Sequence, residues 1–142
     1  MRRVLKITVS AVASAAGIAT IGMALMAYAE RDMCGNVVVA EYPSPDASTR
    51  VVVFVRNCGA TTDFSTHASL LGPDTRLANS VGDLFAADTD HGAAPSGPNG
   101  GPEVRVRWEG PTAMVLEHQE RARVFRAEQH VAKVNVTYKV FQ

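Results

Sequence analysis

Two cysteines and the segments between them restrict the fold of this chain more than any other feature. Cys34 and Cys58 are equally far from Asp46, which lies in PSPDAST, a cluster of turn-forming residues at positions 43–49. The β-branched runs NVVVAEY and RVVVFVR stand on either side of that cluster. Runs of this composition, separated by proline, aspartate and serine, predict a β-hairpin.

The predicted hairpin places the two cysteines opposite each other. In an antiparallel pair, residues whose numbers sum to a constant face each other, although a β-bulge would shift that register by one. The predicted facing pairs are Val38 with Phe54, Ala40 with Val52, and Cys34 with Cys58. Because the N-terminal segment described below predicts export to an oxidising compartment, we predict a Cys34–Cys58 disulfide.

The rest of the chain also carries strand-like patterns. Val104, Val106 and Trp108 alternate with Arg105 and Arg107. Further strand-like segments are STHASLL (65–71), DLFAAD (83–88), AMVLEHQE (113–120), RARVFRAEQ (121–129) and VNVTYKV (134–140). Because the connections are short and no amphipathic helix is predicted after residue 29, we expect an all-β domain. It would be a mostly antiparallel sandwich or open barrel of seven to eight strands, preceded by one N-terminal hydrophobic helix.

The N-terminal segment predicts export. Residues 1–6 carry three bases, residues 7–29 carry no charge, and the segment closes on Ala27-Tyr28-Ala29. This A-x-A pattern is typical of a signal peptidase site, whereas an apolar run of this length also fits a membrane anchor. Either interpretation places the domain, residues 30–142, on the periplasmic or extracellular side. The domain is soluble after cleavage at Ala29, or it is anchored in the inner membrane through residues 7–29.

Charge argues against a nucleic-acid partner. The whole chain has a formal net charge of zero, and residues 1–29 hold three bases and no acid, so residues 30–142 are mildly acidic. Nucleic-acid binding needs a clustered basic surface. Four arginines alternate with apolar residues, and a fifth lies near them: Arg105, Arg107, Arg121 and Arg123, with Arg126. They predict the solvent-facing side of a sheet, to which an anionic envelope polymer or lipid headgroup could bind.

The stretch RNCGATTDFSTHASLL, residues 56–71, raises the question of a catalytic site. Cys58, Ser65 and His67 are residue types that act in nucleophilic catalysis, which needs a base within hydrogen-bond reach and a group that orients it. None of them lies in a known nucleophile motif. We therefore favour a protein that is not an enzyme, with Cys58 in the disulfide and no catalytic residue predicted.

The neighbours of Cys58 have a structural and a functional interpretation. Gly59 suits a backbone turn that a side chain would block, and Thr61, Thr62 and Asp63 suit local hydrogen bonds at a corner between strands. Alternatively, residues 58–67 build a polar pocket at the end of the sheet. Sequence alone favours the structural interpretation.

No metal or cofactor site is predicted. Asp88 to His91 offers carboxylate and imidazole groups, but the ligand spacing of a calcium or zinc site is missing. Residues 88–102 are rich in glycine and proline and lack an apolar period, so they predict a flexible surface loop.

Several of these motifs resemble a family of small exported bacterial proteins that carry a domain of unknown function. The resemblance rests on the turn Ser44-Pro45-Asp46, the apolar strand 51–55, CGATT at 58–62 and FST at 64–66. Also similar are an earlier cysteine, a G-x-x-F strand from Gly82 to Phe85, Trp108, and V-x-V-x-Y ending at Tyr138. The resemblance covers roughly residues 34–140.

That resemblance implies an envelope or secreted β-domain, and it brings no activity, cofactor or catalytic residue. The chain departs from the family in having Ala47 where glycine is usual after S-P-D, and in a longer loop at 88–102. We therefore expect an exported, non-catalytic binding or structural β-domain whose partner is an unknown envelope protein or polymer. The alternatives are a small envelope hydrolase or transferase that uses residues 58–67, and an exported enzyme inhibitor that inserts the loop 88–102.

Overall fold

The computed structural model describes residues 17–26, 28, 33–59 and 62–142. The chain divides into two compact units, Met1–Met33 and Cys34–Gln142. In the first unit, residues 17–26 are helical, as the sequence predicts. No helix among the described residues has the length and apolarity needed to cross a bilayer. Most of the predicted signal or anchor segment, residues 1–29, lies outside the described residues, so cleavage and anchoring both stay predictions.

The second unit is all-β, which confirms the predicted fold class. Its described residues form nine strands. They are β1 (Gly35–Pro43), β2 (Arg50–Asn57), β3 (Ser65–Leu71), β4 (Phe85–Asp88), β5 (Val104–Gly110), β6 (Ala113–Gln119), β7 (Arg123–Ala127), β8 (His130–Val131) and β9 (Val134–Phe141). The seven to eight predicted strands are all present, and the added strand is β8, whose two residues are too short for a period to be read from the sequence.

The strands form two sheets with the core between them. The five-stranded sheet has the order β1-β2-β3-β4-β7 and the four-stranded sheet the order β5-β6-β9-β8. The core cluster draws on both sheets: Val51, Val53, Ala68, Leu84, Phe85 and Ala87 come from the first and its connections, and Val104, Val106, Met114, Leu116, Val134 and Val136 from the second. This is the predicted sandwich, since the strands of the described residues do not close into one barrel.

The predicted antiparallel pairing holds for all but one pair among the described strands. β6 and β9 run parallel, from Ala113 opposite Asn135 to Gln119 opposite Phe141. Parallel neighbours need a long crossover, and here the chain makes it by leaving the four-stranded sheet between the two strands. In that interval it forms β7, which pairs with β4 in the other sheet.

This change of sheet contradicts the prediction that five arginines line the same face. The predicted turn after β6 exists, since the backbone N–H of Ala122 donates to the carbonyl of Gln119 at 3.1 Å. However, the strand that follows joins the five-stranded sheet. Arg105 and Arg107 are therefore in one sheet, and Arg123 and Arg126 are in the other. Alternation in a sequence indicates which side a residue faces, but not to which sheet its strand belongs.

The two sheets are tied by side chains as well as by the core. The indole N–H of Trp108 on β5 donates to the carbonyl of Tyr42 on β1 at 2.9 Å. The Tyr138 hydroxyl on β9 lies 3.2 Å from the carbonyl of Leu84 and 2.8 Å from that of Glu128. Burial, together with the nearby charge of Glu128, raises the pKa of Tyr138, so this hydroxyl stays a donor. Trp108 thus packs against the core, as predicted, and also joins the sheets.

The β1–β2 hairpin carries the predicted disulfide, Cys34–Cys58. Val38 faces Phe54 as predicted, but a bulge after Val38 shifts the register, so Ala40 faces Val53 rather than Val52. The bulge lies on the side of Val38 that is nearer the turn, so the cysteines keep their facing positions.

The hairpin turn is built by the residues that marked it in the sequence. Asp46 accepts hydrogen bonds from the Ser44 hydroxyl and from the hydroxyl and backbone N–H of Ser48. Ala47 has a φ of 56°, a left-handed conformation that glycine adopts at no steric cost. Ala47, where the resembling family usually has glycine, therefore lies at a position where glycine would relieve backbone strain.

A long connection between β3 and β4 lies across the outer face of the five-stranded sheet. We call residues 72–83 the covering segment. Five side chains of the sheet bond to it: Arg50 to the carbonyls of Gly72, Pro73 and Thr75, Asn36 to those of Ala78 and Ser80, Arg56 to Asn79, His67 to Gly82, and Ser69 to Asp83. Val52 and Phe54 point to this face and are 1% and 0% exposed. The covering segment thus buries a second apolar layer, opposite the main core.

The predicted loop 88–102 begins at Asp88, the last residue of β4, and residues 89–102 form no strand but one isolated bridge, between Ser96 and Pro102. It is nevertheless packed against the sandwich. Ala94 is 1% exposed, and the carbonyl of Pro102 accepts a hydrogen bond from the hydroxyl of buried Thr66 at 2.7 Å. The predicted flexibility is untested, but the ends of this segment are attached to the sheet.

Candidate functional site

A pocket beside the disulfide contains Cys58, Ser65 and His67, the three candidates for nucleophilic catalysis in the sequence. It has a volume of about 340 Å³ and opens on the outer face of the five-stranded sheet. We call it the cystine pocket. Its lining is Arg56, Cys58, Ser65, His67, Val81, Gly82, Ala86, Phe125 and Arg126. The register explains this grouping, because neighbouring strands place Arg56 opposite Ser65, and Phe54 opposite His67, with Ala86 and Arg126 next in the row.

His67 is the most constrained group in the pocket. It is 5% exposed, and its ring stacks on Phe54 with centroids 5.4 Å apart. Its Nε2 lies 2.8 Å from the hydroxyl of Ser65, and its Nδ1 lies 3.1 Å from the backbone nitrogen of Gly82. Both nitrogens of the ring are therefore occupied by hydrogen-bond partners within the protein.

These partners determine where the imidazole proton lies. A backbone N–H can only donate, so Nδ1 of His67 must accept from Gly82 and carries no proton. The neutral ring then has its proton on Nε2, which donates to the Ser65 hydroxyl. Burial, with smaller contributions from the charges of Arg56 and Arg126, lowers the pKa of His67 to about 4. At neutral pH the ring is therefore uncharged, with the proton on the Ser65 side.

This arrangement does not activate Ser65. A serine nucleophile needs a base whose lone pair faces its hydroxyl, and a third group that holds the other ring nitrogen by accepting its proton. Here Nε2 faces Ser65 with a proton, and Nδ1 meets a donor instead of a carboxylate. The Ser65 hydroxyl in turn lies 3.5 Å from the carbonyl of Arg56. The chain of hydrogen bonds runs from Gly82 to His67 to Ser65, and it ends on the backbone of β2.

The low pKa of His67 predicts a loss of stability in mild acid. Because its folded pKa lies below the ordinary 6.5, the unfolded chain binds more protons between pH 6.5 and 4, and stability falls as pH falls through that window. We expect His67 to account for a loss of about 2 kcal/mol between pH 6.5 and 4.5. Urea unfolding at both pH values measures it, as the difference between the wild type and His67→Asn.

The control for that experiment is His130→Asn, because His130 is exposed on β8. Because this substitution leaves the contacts of His67 intact, the variant should keep the loss of stability that His67 causes. Acidic groups such as Asp88 contribute equally to both proteins, so their effect cancels in the comparison. An equal loss of stability in wild type and His67→Asn would contradict the hydrogen-bonded, neutral state assigned to His67.

Two guanidinium groups give the pocket its charge. The Nη1 of Arg56 donates to the side-chain oxygens of Asn36 at 2.7 Å and Asn79 at 3.1 Å, both of them uncharged. Asn79 also donates to the carbonyl of Cys34 at 2.8 Å, which links Arg56 to the disulfide. Arg126 is exposed and makes no ion pair or side-chain hydrogen bond with any described residue. The described lining of the pocket contains no carboxylate.

The other acidic and basic candidate residues form hydrogen bonds and ion pairs outside the cystine pocket. Arg123 donates to both carboxylate oxygens of buried Asp88, at 3.2 and 2.6 Å. Burial alone would raise the pKa of Asp88, but the bonds from Arg123 and the Asp90 backbone outweigh it and hold that pKa below its usual value. Asp63 accepts from the Thr89 hydroxyl at 2.7 Å. Within the described part of the chain, no three metal-ligating side chains converge.

The fold brings only some residues of the predicted polar stretch 58–67 together at one site. Ser65, His67 and Cys58 meet in the cystine pocket, while Asp63 turns to the loop that begins at Thr89. Gly59 has a φ of 106°, which confirms that this position needs glycine. Thr61 lies outside the described residues, so its predicted hydrogen bonds stay untested.

A larger cavity lies away from this chemistry. It has a volume of about 510 Å³ and lies between the β1–β2 turn and the β8–β9 turn. Its charged lining residues are Asp46 and Lys133, one of each sign. Asp46 already accepts three hydrogen bonds within its own turn. Because the larger cavity has no concentration of one charge, the cystine pocket is the stronger candidate site.

Sequence reasoning did not place Arg56, Arg126 or Gly82 in one pocket with Ser65 and His67. Arg56 and Arg126 are far apart in the chain, and only the β4–β7 pairing brings them to one face. Gly82 looks like a loop glycine, although it sits so close to β3 that an added Cβ would lie 2.5 Å from the carbonyl oxygen of Ala68. The only usable sequence signal was the G-x-x-F motif that contains Gly82.

Comparison with known proteins adds nothing to this geometry: no family model, curated protein or solved structure matches the chain. The family resemblance based on its motifs therefore stays a prediction.

Proposed function

We propose that residues 30–142 form a non-catalytic binding domain that works on the exported side of a bacterial envelope, with the cystine pocket as its ligand site. The proposal includes the resemblance to the family of small exported domains. Its partner is a ligand or polymer of the envelope, and the domain reaches it either as a soluble protein or from a membrane anchor.

Export is supported by the disulfide and by the N-terminal sequence. Paired cysteines persist in oxidising compartments and are rare in the cytosol. Cys34 and Cys58 are bonded, and the described residues contain no free cysteine. Three bases followed by 23 uncharged residues and an A-x-A triplet are the sequence pattern of an export segment.

The observation that carries the non-catalytic part is the direction of the hydrogen bonds around His67. Gly82 donates to one ring nitrogen, and the other nitrogen donates to Ser65. The pocket thus holds a serine and a histidine in contact, but with the proton in the position that prevents base catalysis. What remains for the pocket is binding, through its arginines and its exposed apolar side chains.

A second candidate is a serine hydrolase, favoured by the 2.8 Å contact between Ser65 and His67. It would require the ring to lose the Gly82 bond and move its proton to Nδ1. The described lining offers no carboxylate that could accept that proton. This function is therefore less consistent with the geometry than binding.

We expect native protein to resist a fluorophosphonate probe, because Ser65 is not activated. The measurement is the intact mass after incubation, compared with Ser65→Ala and with an active serine hydrolase treated in parallel. An adduct on Ser65 that disappears in both Ser65→Ala and His67→Asn would establish the hydrolase and rule out the non-catalytic proposal. An adduct present in every variant would be non-specific and would leave Ser65 unreactive, as expected.

A further inference from the structure

We infer that the cystine pocket binds a small organic acid, with the carboxylate held between Arg56 and Arg126 and the apolar part of the ligand against Val81 and Phe125. This inference rests on the proposed function of the pocket as a ligand site and specifies the chemistry of the ligand.

The charge argument comes from the arginines of the outer face. Arg50 is paired with Glu41 and Arg123 with Asp88. Arg56 and Arg126, the two that line the cystine pocket, have no carboxylate partner among the described residues. Two guanidinium groups of like charge in one pocket repel each other, and an oxyanion between them removes that repulsion.

Arg56 is also positioned in advance. Its Nη1 is held by Asn36 and Asn79, and both of these amides bond onward to backbone carbonyls. A cation fixed by neutral partners keeps its full charge and loses little side-chain entropy when a ligand binds. Arg126 has no such partners and is free to close on the ligand from the other side of the pocket.

The apolar part of the ligand is indicated by two exposed side chains. Val81 is 56% exposed and Phe125 is 59% exposed, although both line the pocket. Phe125 has the guanidinium of Arg123 5.1 Å from its ring centroid, yet most of its surface faces solvent. Large apolar side chains beside unpaired cations favour a ligand that has both an apolar part and an anionic group.

The size of the pocket limits the ligand. Its volume of about 340 Å³ lies at the lower end of the range for small-molecule sites. A short aliphatic or aromatic carboxylate fits such a volume, whereas a folded partner does not enter it. Inorganic phosphate has the charge but lacks the apolar part, so it serves as a test of that part.

The experiment is a titration of the disulfide-bonded domain followed by ¹H–¹⁵N NMR, with hexanoate, hexanamide and inorganic phosphate as separate probes. Hexanoate should shift the signals of the Arg126 side chain and of the Gly82 and Ala86 amides. Arg126→Gln should weaken hexanoate binding about tenfold or more, since a charge-assisted hydrogen bond is lost. Arg121→Gln is the matched control, because Arg121 is exposed in the preceding turn and does not line this pocket.

Hexanamide and phosphate should each bind at least tenfold more weakly than hexanoate. Equal binding of hexanoate and hexanamide, or an unchanged affinity in Arg126→Gln, would overturn the role of the arginines. Phosphate binding as tightly as hexanoate would overturn the role of Val81 and Phe125. If no probe shifts these signals while Ser65 also resists the fluorophosphonate, the carboxylate inference fails and the non-catalytic assignment stands.

Discussion

Replacing both Cys34 and Cys58 by serine should lower the free energy of unfolding by about 3 kcal/mol, because the unfolded chain regains the freedom of a loop that the bond closes over 24 residues of sequence. For a domain of this size the midpoint of thermal unfolding should fall by about 15 °C. Urea and thermal unfolding of the wild type and the double variant measure both quantities. This loss is a large share of the net stability of a small domain, which is about 5–15 kcal/mol.

The control is the wild-type protein after complete reduction, which should match the double variant. A double variant as stable as the oxidised wild type would contradict the stabilising role of the bond. Intact mass after alkylation without reduction gives an independent check, since a bridged protein takes up no alkyl group. Measured on membrane and soluble envelope fractions, the same spectrum establishes whether residues 1–29 are still attached.

The disulfide also bears on the cystine pocket. Cys58 is part of the lining, and the carbonyl of Cys34 accepts a bond from Asn79, which holds Arg56. Opening the bond frees both ends of the hairpin beside this network. We therefore attribute two roles to one bond: it stabilises the domain, and it fixes the position of Arg56.

Local patterns predicted the parts of the fold that depend on neighbours in the chain. The β1–β2 hairpin is such a part, because its turn residues, its β-branched strands and its cysteine spacing all indicate the same register. Within the hairpin, these patterns did not predict the bulge after Val38, because nothing in the run VVV distinguishes a bulged valine from its neighbours. Local patterns also did not predict the parallel pairing of β6 with β9, because that pairing depends on β7 joining the other sheet.

The candidate site was predictable only in part, because it too depends on contacts between residues that are distant in the chain. Ser65 and His67 are two residues apart on one strand, so alternation alone places them on the same side. The proton position on His67, which separates binding from catalysis, depends on Gly82 in a connection with no regular structure. No periodicity or motif in the sequence reveals which backbone N–H will meet a histidine ring.

Gly82 is also the position at which we expect the largest effect of adding a single methyl group. An added Cβ would lie 2.5 Å from the carbonyl oxygen of Ala68, 2.8 Å from that of Phe85 and 3.0 Å from the nitrogen of Ala68. All three atoms belong to the backbone of β3 and β4, so no side chain can rotate away to make room. Gly82→Ala should destabilise the domain by about 3 kcal/mol, near the upper end of the range for overpacking.

Gly110→Ala is the matched control, because an added Cβ at Gly110 meets no atom within 4 Å. Both variants reduce the entropy of the unfolded chain equally, so their difference in urea unfolding isolates the contact at Gly82. Displacing Gly82 should also weaken its bond to His67 Nδ1, so the loss of stability between pH 6.5 and 4.5 should be smaller in Gly82→Ala than in Gly110→Ala. If the two variants are equally stable and equally sensitive to pH, the covering segment does not press on β3 at this point, and the proton assignment on which the non-catalytic proposal rests loses its support.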